Sequence, residues 1–182
     1  MNWGGCVHLV IGPDLEKKAQ DAELAPYPRE RFGGYLLDQE IRVSGISSDE
    51  KDGSFNNEEN FKLMLSDASV VEKLFVEKKW WSGCRTREED APWIELELTK
   101  PRQIMGIQVD VFNRRNWCRP LRIWMSNDLK RWVEIYREDR ELGRFVADFT
   151  KKTVKGKYIR VGREPGQQRH RLTLDKILIY GK

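Results

Sequence analysis

Three short runs hold the residues best equipped for chemistry. The first is Asn113-Arg114-Arg115-Asn116-Trp117-Cys118-Arg119. The second is Arg85-Thr86-Arg87, and the third is Arg163 to Arg171, which ends in Arg169-His170-Arg171. Guanidinium and carboxamide groups present donors and acceptors in fixed planar arrays that match vicinal hydroxyls or a carboxylate. A tryptophan adds an apolar plane for the C–H face of a pyranose while its N–H stays in water. The chemistry on offer is therefore non-covalent recognition of a sugar. The candidate ligand contacts are Arg85, Arg87, Asn113, Arg114, Arg115, Trp117, Arg119, Arg169 and His170. Against this stands a plainer reading, because surface arginines are commonly solvated or used to brace loops.

Bond-making chemistry has little support. The only histidines are His8 and His170, far apart in the chain. No nucleophile elbow, phosphate loop, dinucleotide fingerprint or zinc spacing occurs. Glu95 and Glu97 alternate with Ile94, Leu96 and Leu98, which places them on a solvated strand face rather than flanking a pocket as glycosidase carboxyls must. No enzyme is expected. Cys6, Cys84 and Cys118 are odd in number and widely spaced, the pattern of reduced thiols rather than a secreted disulfide framework, although Cys84 and Cys118 lie in loops that could meet.

The elements that must position these runs are strands. Within 182 residues, one domain is expected. Apolar residues alternate over Tyr35–Gly45, Ile94–Leu98, Ile107–Val111 and Leu121–Met125. Further strands are expected over 132–136, 145–149, 158–161 and 172–180, with Lys100-Pro101 breaking the chain and Ser126-Asn127-Asp128 supplying an Asx-type turn. Residues 47–60 read as an acidic, solvated loop without EF-hand spacing. A capping box at Ser69/Glu72 predicts one short helix over Val70–Lys79. Short strands with turns between them imply an all-β, antiparallel sandwich. Residues 1–34 read as an N-terminal arm or linker, and 35–182 as the sandwich domain.

Charge is divided along the chain. Residues 1–99 carry 12 Lys+Arg and 20 Asp+Glu, net −8, and residues 100–182 carry 21 and 9, net +12. A basic half attracts anionic partners, unless the two halves neutralise each other across one sandwich. No run is long and apolar enough to span a membrane. The first residues lack the basic flank of a signal peptide, which favours the cytoplasm or a fragment of a larger protein.

An ordered set of motifs carries a family resemblance. Pro92-Trp93 opens one strand, and Asn113-Arg114 follows the next. Ser126-x-Asp128-x-x-x-Trp132 forms a turn, Tyr158-Ile159-Arg160-Val161 a strand, and Tyr180-Gly181 closes the chain. Over about ninety residues this resembles a discoidin domain, also called the coagulation factor 5/8 type C domain, in its bacterial carbohydrate-binding form. The resemblance implies a jelly-roll sandwich of the galactose-binding-like superfamily that binds glycans through loops at one end, often appended to a glycan-processing protein. It also implies that Arg114 and Arg119 can brace loops through Asp90 or Glu88. Independently of the resemblance, Arg160 inside a strand reads as structural, and Trp93, Trp124 and Trp132 read as core or rim packing rather than a stacking platform. Three departures stand out. Ser66-Asp67-Ala68-Ser69 replaces the family's calcium loop, Lys176 replaces an acidic residue, and Leu129 stands where glycine is common. The first two remove carboxylates from the family's structural calcium site, so no cofactor is expected.

The leading expectation is a non-catalytic carbohydrate-binding module whose partner is a glycan or glycoconjugate, an acidic one given the basic half. Two alternatives remain open: a protein-interaction domain of a larger assembly, and binding of an anionic polymer, phospholipid or nucleic acid, with nucleic acid disfavoured.

Overall fold

The computed structural model describes residues 27–48, 61, 64–65, 84–111, 120–166, 169 and 171–182. Eleven strands run through them: β1 Glu30–Arg31, β2 Gly34–Leu36, β3 Ile41–Ile46, β4 Cys84–Arg85, β5 Trp93–Asp110, β6 Leu121–Ser126, β7 Val133–Glu138, β8 Arg144–Asp148, β9 Val154–Gly162, β10 Thr173–Leu174 and β11 Lys176–Gly181. Nine form a continuous antiparallel ladder, ordered β1-β2-β11-β5-β9-β6-β7, with β3 and β8 also paired to β5. β4 and β10 form a separate two-stranded ribbon.

β5 organises this ladder into two layers. Its first half pairs with β3 and β9 and its second half with β8 and β11, the start of β9 continuing onto Arg102–Ile104. The strand thus passes from one sheet to the other. Its register against β9 slips between Glu97 and Arg102. Pro101 falls inside that slip, where a missing N–H breaks no ladder bond. Lys100-Pro101 therefore does not end the strand; it marks the crossing within a single strand of 18 residues. The core lies between the layers. Ile94, Leu96, Ile123, Ile159 and Val161 line one side, and Ile107, Val109, Phe145, Ala147 and Ile177 the other, all buried.

The strand expected over Tyr35–Gly45 is divided into β2 and β3. Glu40 N–H donates to the Leu37 carbonyl at 2.9 Å, closing a turn, and the Asp38 carboxylate accepts from Gln39 N–H at 3.0 Å. A short polar side chain that caps its neighbour's backbone competes with ladder pairing. The last apolar run is likewise split at Asp175, whose N–H turns to the Asp110 carbonyl at 2.9 Å. The helix expected over 70–79 and the acidic loop beyond Ser48 lie outside the described residues.

From Tyr27 onward the chain covers the outer face of the second sheet. β1 and β2 form a hairpin whose turn residues, Phe32 and Gly33, both have positive φ, 56° and 69°, the geometry that matches strand twist. The Phe32 ring lies on Gly106, where any Cβ would come within 2.2 Å of it. It meets the Tyr180 ring edge-on at 5.6 Å. Leu178 and Tyr180 are thereby buried, which is why β11 is apolar on both faces.

Candidate functional site

Hydrogen bonds collect several loops at one end of the sandwich. Trp93 N–H donates to Ser47 Oγ and Ser47 N–H to the Trp93 carbonyl, each at 2.9 Å. Glu89 accepts from the hydroxyls of Ser47 and Ser48 at 2.5 and 2.7 Å. Arg163 N–H donates to the Pro92 carbonyl at 3.0 Å, and Gly166 N–H reaches both Asp90 carboxylate oxygens at 3.0 and 3.1 Å. Thr86 and Leu172 exchange bonds at 3.0 Å, Thr86 giving its N–H and receiving on Oγ1. The segments around 47–48, 84–92 and 163–175 are therefore laced together. Asp110 belongs to the same lacing through Asp175. Arg122, second in β6, pairs with Gly162 at the end of β9. The strand ends that bracket positions 112–119 thus both stand at this end.

The predicted contacts divide as follows. Arg85 and Arg87 flank Thr86, which is fully buried, so alternation turns both arginines away from the core. Arg87 is exposed and Arg85 partly so. Arg169 is exposed and donates to the Glu88 carbonyl at 2.9 Å, tying its loop to the one that carries Arg87. Arg85, Arg87 and Arg169 are brought to one end. Asn113, Arg114, Arg115, Trp117, Arg119 and His170 lie outside the described residues, as does bracing by Arg114 or Arg119. The Asp90 carboxylate accepts from Gly166 N–H, and the Glu88 backbone carbonyl accepts from Arg169.

Beside these loops, on the outer face of the first sheet, opens a cleft of about 300 Å³ lined by Ala91, Trp93, Trp124, Trp132, Arg160, Arg163 and Pro165. Its centre is Arg160. The guanidinium lies 4.4 Å from the Trp93 ring centroid and 4.1 Å from that of Trp132, and donates to Glu95 at 2.9 Å. The register supplies the geometry, because Arg160 on β9 sits between Glu95 on β5 and Trp124 on β6. Gly45 leaves room for the Trp93 indole: a Cβ there would stand 3.2 Å from the ring. The three tryptophans are partly exposed on a sheet face rather than sunk in the core. Alternation in the sequence was the available signal. Trp93, Glu95 and Glu97 share one parity, and Ile94, Leu96 and Leu98 the other.

Charges on this face are matched. Glu97 accepts from Arg42 at 2.6 Å and from Lys157 at 2.9 Å, and Lys157 and Arg42 together hold its carboxyl below the usual range. Arg122, almost fully buried, is clamped by Asp139 at 2.6 Å, Glu164 at 3.3 Å and Glu134 at 3.7 Å. Glu164 also takes Arg137 at 2.6 Å, so the loop after β9 is anchored to β6 and β7. The Glu95 and Glu97 carboxylates are thus both occupied as ion-pair partners, but only Glu97 is partly exposed; Glu95, expected on a solvated face, is buried and paired with Arg160.

A second charged cluster lies under the arm. Asp110, fully buried, accepts from Arg144 at 2.7 and 3.0 Å, from Gln108 at 3.0 and 3.1 Å, and from the Tyr27 hydroxyl at 3.2 Å. Lys176, also fully buried, places Nζ 5.6 Å from the Tyr27 ring centroid. Among the described residues no group of three or more His, Cys, Asp or Glu is placed to hold a metal ion. No described helix is long and apolar enough to cross a membrane.

Two layers joined through one crossing strand, with the loops tied at one end, define an antiparallel β-sandwich of the jelly-roll class. Comparison with solved structures gives the same class. A carbohydrate-binding module from Clostridium perfringens, solved in complex with GalNAc-β-1,3-galactose, superposes with a TM-score of 0.57 at 14% identity, over 80% of this chain and 99% of that one. A family 32 module from a family 31 glycoside hydrolase of the same organism gives 0.58 at 16% identity, over 81% and 94%. A fucolectin from striped bass (Morone saxatilis) serum gives 0.57 at 18% identity, over 80% of this chain and 48% of that one. The likeness is one of fold: these are discoidin-type domains, and this chain has their architecture. No family model matches the sequence, and no curated protein matches it.

Proposed function

We propose that the chain is a non-catalytic carbohydrate-binding module that takes a glycan at the laced loop end, through Arg85, Arg87, Arg169, His170 and the 113–119 segment (Asn113, Arg114, Arg115, Trp117 and Arg119). The observation that carries this reading is the lacing itself. Two arginine-bearing loops are held to each other by Asp90–Gly166 and Glu88–Arg169, at the sandwich end where β5 stops and β6 begins. A pre-tied rim loses little conformational entropy on binding, which suits a shallow polar site. Related folds solved with GalNAc-β-1,3-galactose and with galactose lend the ligand class. The surplus of arginine favours a sugar bearing a carboxylate, which planar guanidinium recognises in bidentate fashion. Residues 100–182, with their net charge of 21 − 9 = +12, reinforce that preference.

Calorimetric titration with galactose, N-acetylgalactosamine, fucose, glucuronic acid and sialic acid tests the reading. Binding in the millimolar to micromolar range is expected, on the order of −4 to −8 kcal/mol. Arg87→Ala and Arg115→Ala are each expected to weaken it about tenfold without changing the melting temperature, as for loss of one charged hydrogen bond. Failure of every sugar in the panel to bind would sink the proposal.

A further inference from the structure

We infer a second binding site at the opposite end of the first sheet, for a sulfated polysaccharide segment. It is the cleft of about 400 Å³ between the 126–133 turn and the start of β9, with Arg131 on one wall and Lys152 and Lys155 on the other. Met125, Val133 and Ile135 supply its apolar lining, and Val133 is 65% exposed. The cleft is roughly 26 Å along β9 from the laced loops, so the two sites are independent.

The charge here is of a different kind from that elsewhere on the sheet. Arg42, Arg122, Arg137, Lys157 and Arg160 each have a carboxylate partner. Lys152 and Lys155 make no ion pair among the described residues, and they are exposed. Lys130 and Lys151 are exposed beside them and extend the positive rim. Two carboxylates, Asp128 and Glu134, also line the cleft, against the three cations Arg131, Lys152 and Lys155. Asp128 accepts the N–H groups of Lys130 and Arg131, both at 2.9 Å, and Glu134 accepts Arg137 at 2.9 and 3.1 Å. Two tight turns thus hold cations around a concave surface with an apolar floor. Lysine meets a sulfate as a point charge without needing planar geometry, and the C–H face of a sugar ring can lie on Val133 and Ile135 while its sulfates reach the rim. Among the described residues no aromatic ring lines the cleft to stack a base, which argues against single-stranded nucleic acid. Its concave shape suits a chain segment better than a flat lipid surface.

The test uses the full chain and a heparin-derived hexasaccharide, with its desulfated counterpart as control. The sulfated chain is expected to bind at least about tenfold more tightly than the control and to lose affinity steeply with salt, as counterion release requires. The combined variant Arg131→Gln/Lys152→Gln/Lys155→Gln should weaken it about tenfold or more while leaving binding of the loop-end sugar unchanged. Should that variant not fold, methyl resonances of Val133 and Ile135 in the unaltered protein report the same site by shifting on titration. Equal binding of the desulfated chain, wild-type affinity in the variant, unmoved methyls, or tighter binding of an oligonucleotide or anionic vesicles would each overturn the inference. Failure of the loop-end sugars to bind has no bearing on it.

Discussion

Arg160 lies 4.1 Å from the ring centroid of Trp132, which clamps the turn between β6 and β7 onto β9. Trp93 closes the stack from the other side at 4.4 Å. The arginine is one-quarter exposed, so its contribution is that of a partly desolvated cation held by two aromatic faces and Glu95. Arg160→Ala is expected to cost about 2 kcal/mol. Arg160→Lys should recover only part of that, because an ammonium cannot fill a flat slot between two rings. Urea unfolding followed by tryptophan fluorescence checks both, and an Arg160→Ala variant as stable as wild type would show that the stack adds nothing.

Leu129 adopts φ +62° in the same turn and is 44% exposed. A branched side chain in the left-handed region costs about 1–2 kcal/mol, against roughly 0.5–1 kcal/mol for the extra freedom of an unfolded glycine. Leu129→Gly should therefore raise stability by about 0.5–1 kcal/mol. Thermal melting decides the sign, and a lowered midpoint would mean that the leucine side chain has a packing role outweighing its strain.

Burial, and then the neighbouring Asp110, push the Tyr27 phenol well above its ordinary value of 10.0. A raised folded pKa means that the neutral phenol is the form the fold prefers. Its contribution is complete below pH 10.0 and is lost as pH rises through the folded value. Wild type should lose stability above that point more steeply than Tyr27→Phe, which is itself about 1 kcal/mol weaker at neutral pH through loss of one hydrogen bond. Parallel melting curves in alkali would contradict this account.

Acid should act on two surface turns. Arg140, by side-chain and then backbone donation, lowers Glu138 from 4.5 to about 2. The N–H groups of Arg131 and Lys130 lower Asp128 from 3.8. Depressed carboxylates stabilise above their unfolded values and cease to do so as pH falls through their folded ones. Stability is expected to decline from about pH 4.5 downward, towards 2 for Glu138. Glu138→Gln and Asp128→Asn should each flatten the decline, as read by circular dichroism across an acid titration.

What the sequence determined by itself was the set of strands and the Ser126–Trp132 turn. Period-two alternation at Ile94–Leu98 and Leu121–Met125 states directly which residues share a face, and an Asx turn is specified by a side chain and the backbone two residues on. It also brought Arg85, Arg87 and Arg169 forward as residues of one loop cluster, and the structure places those three at one end. Local pattern was silent on what covers a face. Leu178 and Tyr180 read as a continuous apolar run, but only the hairpin around Phe32 shows why both faces of β11 are buried. The Arg160 stack needed Trp93 and Trp132 brought together from 67 and 28 positions away, and the Asp90–Gly166 bond spans 76. Such contacts depend on sheet register and on the crossing at Pro101, which arise from the summed pairing of whole strands and leave no mark within any one of them. The same holds for the charges. Composition gave a basic half, and only the tertiary structure separated arginines consumed by carboxylates from the lysines beside Val133 that face solvent.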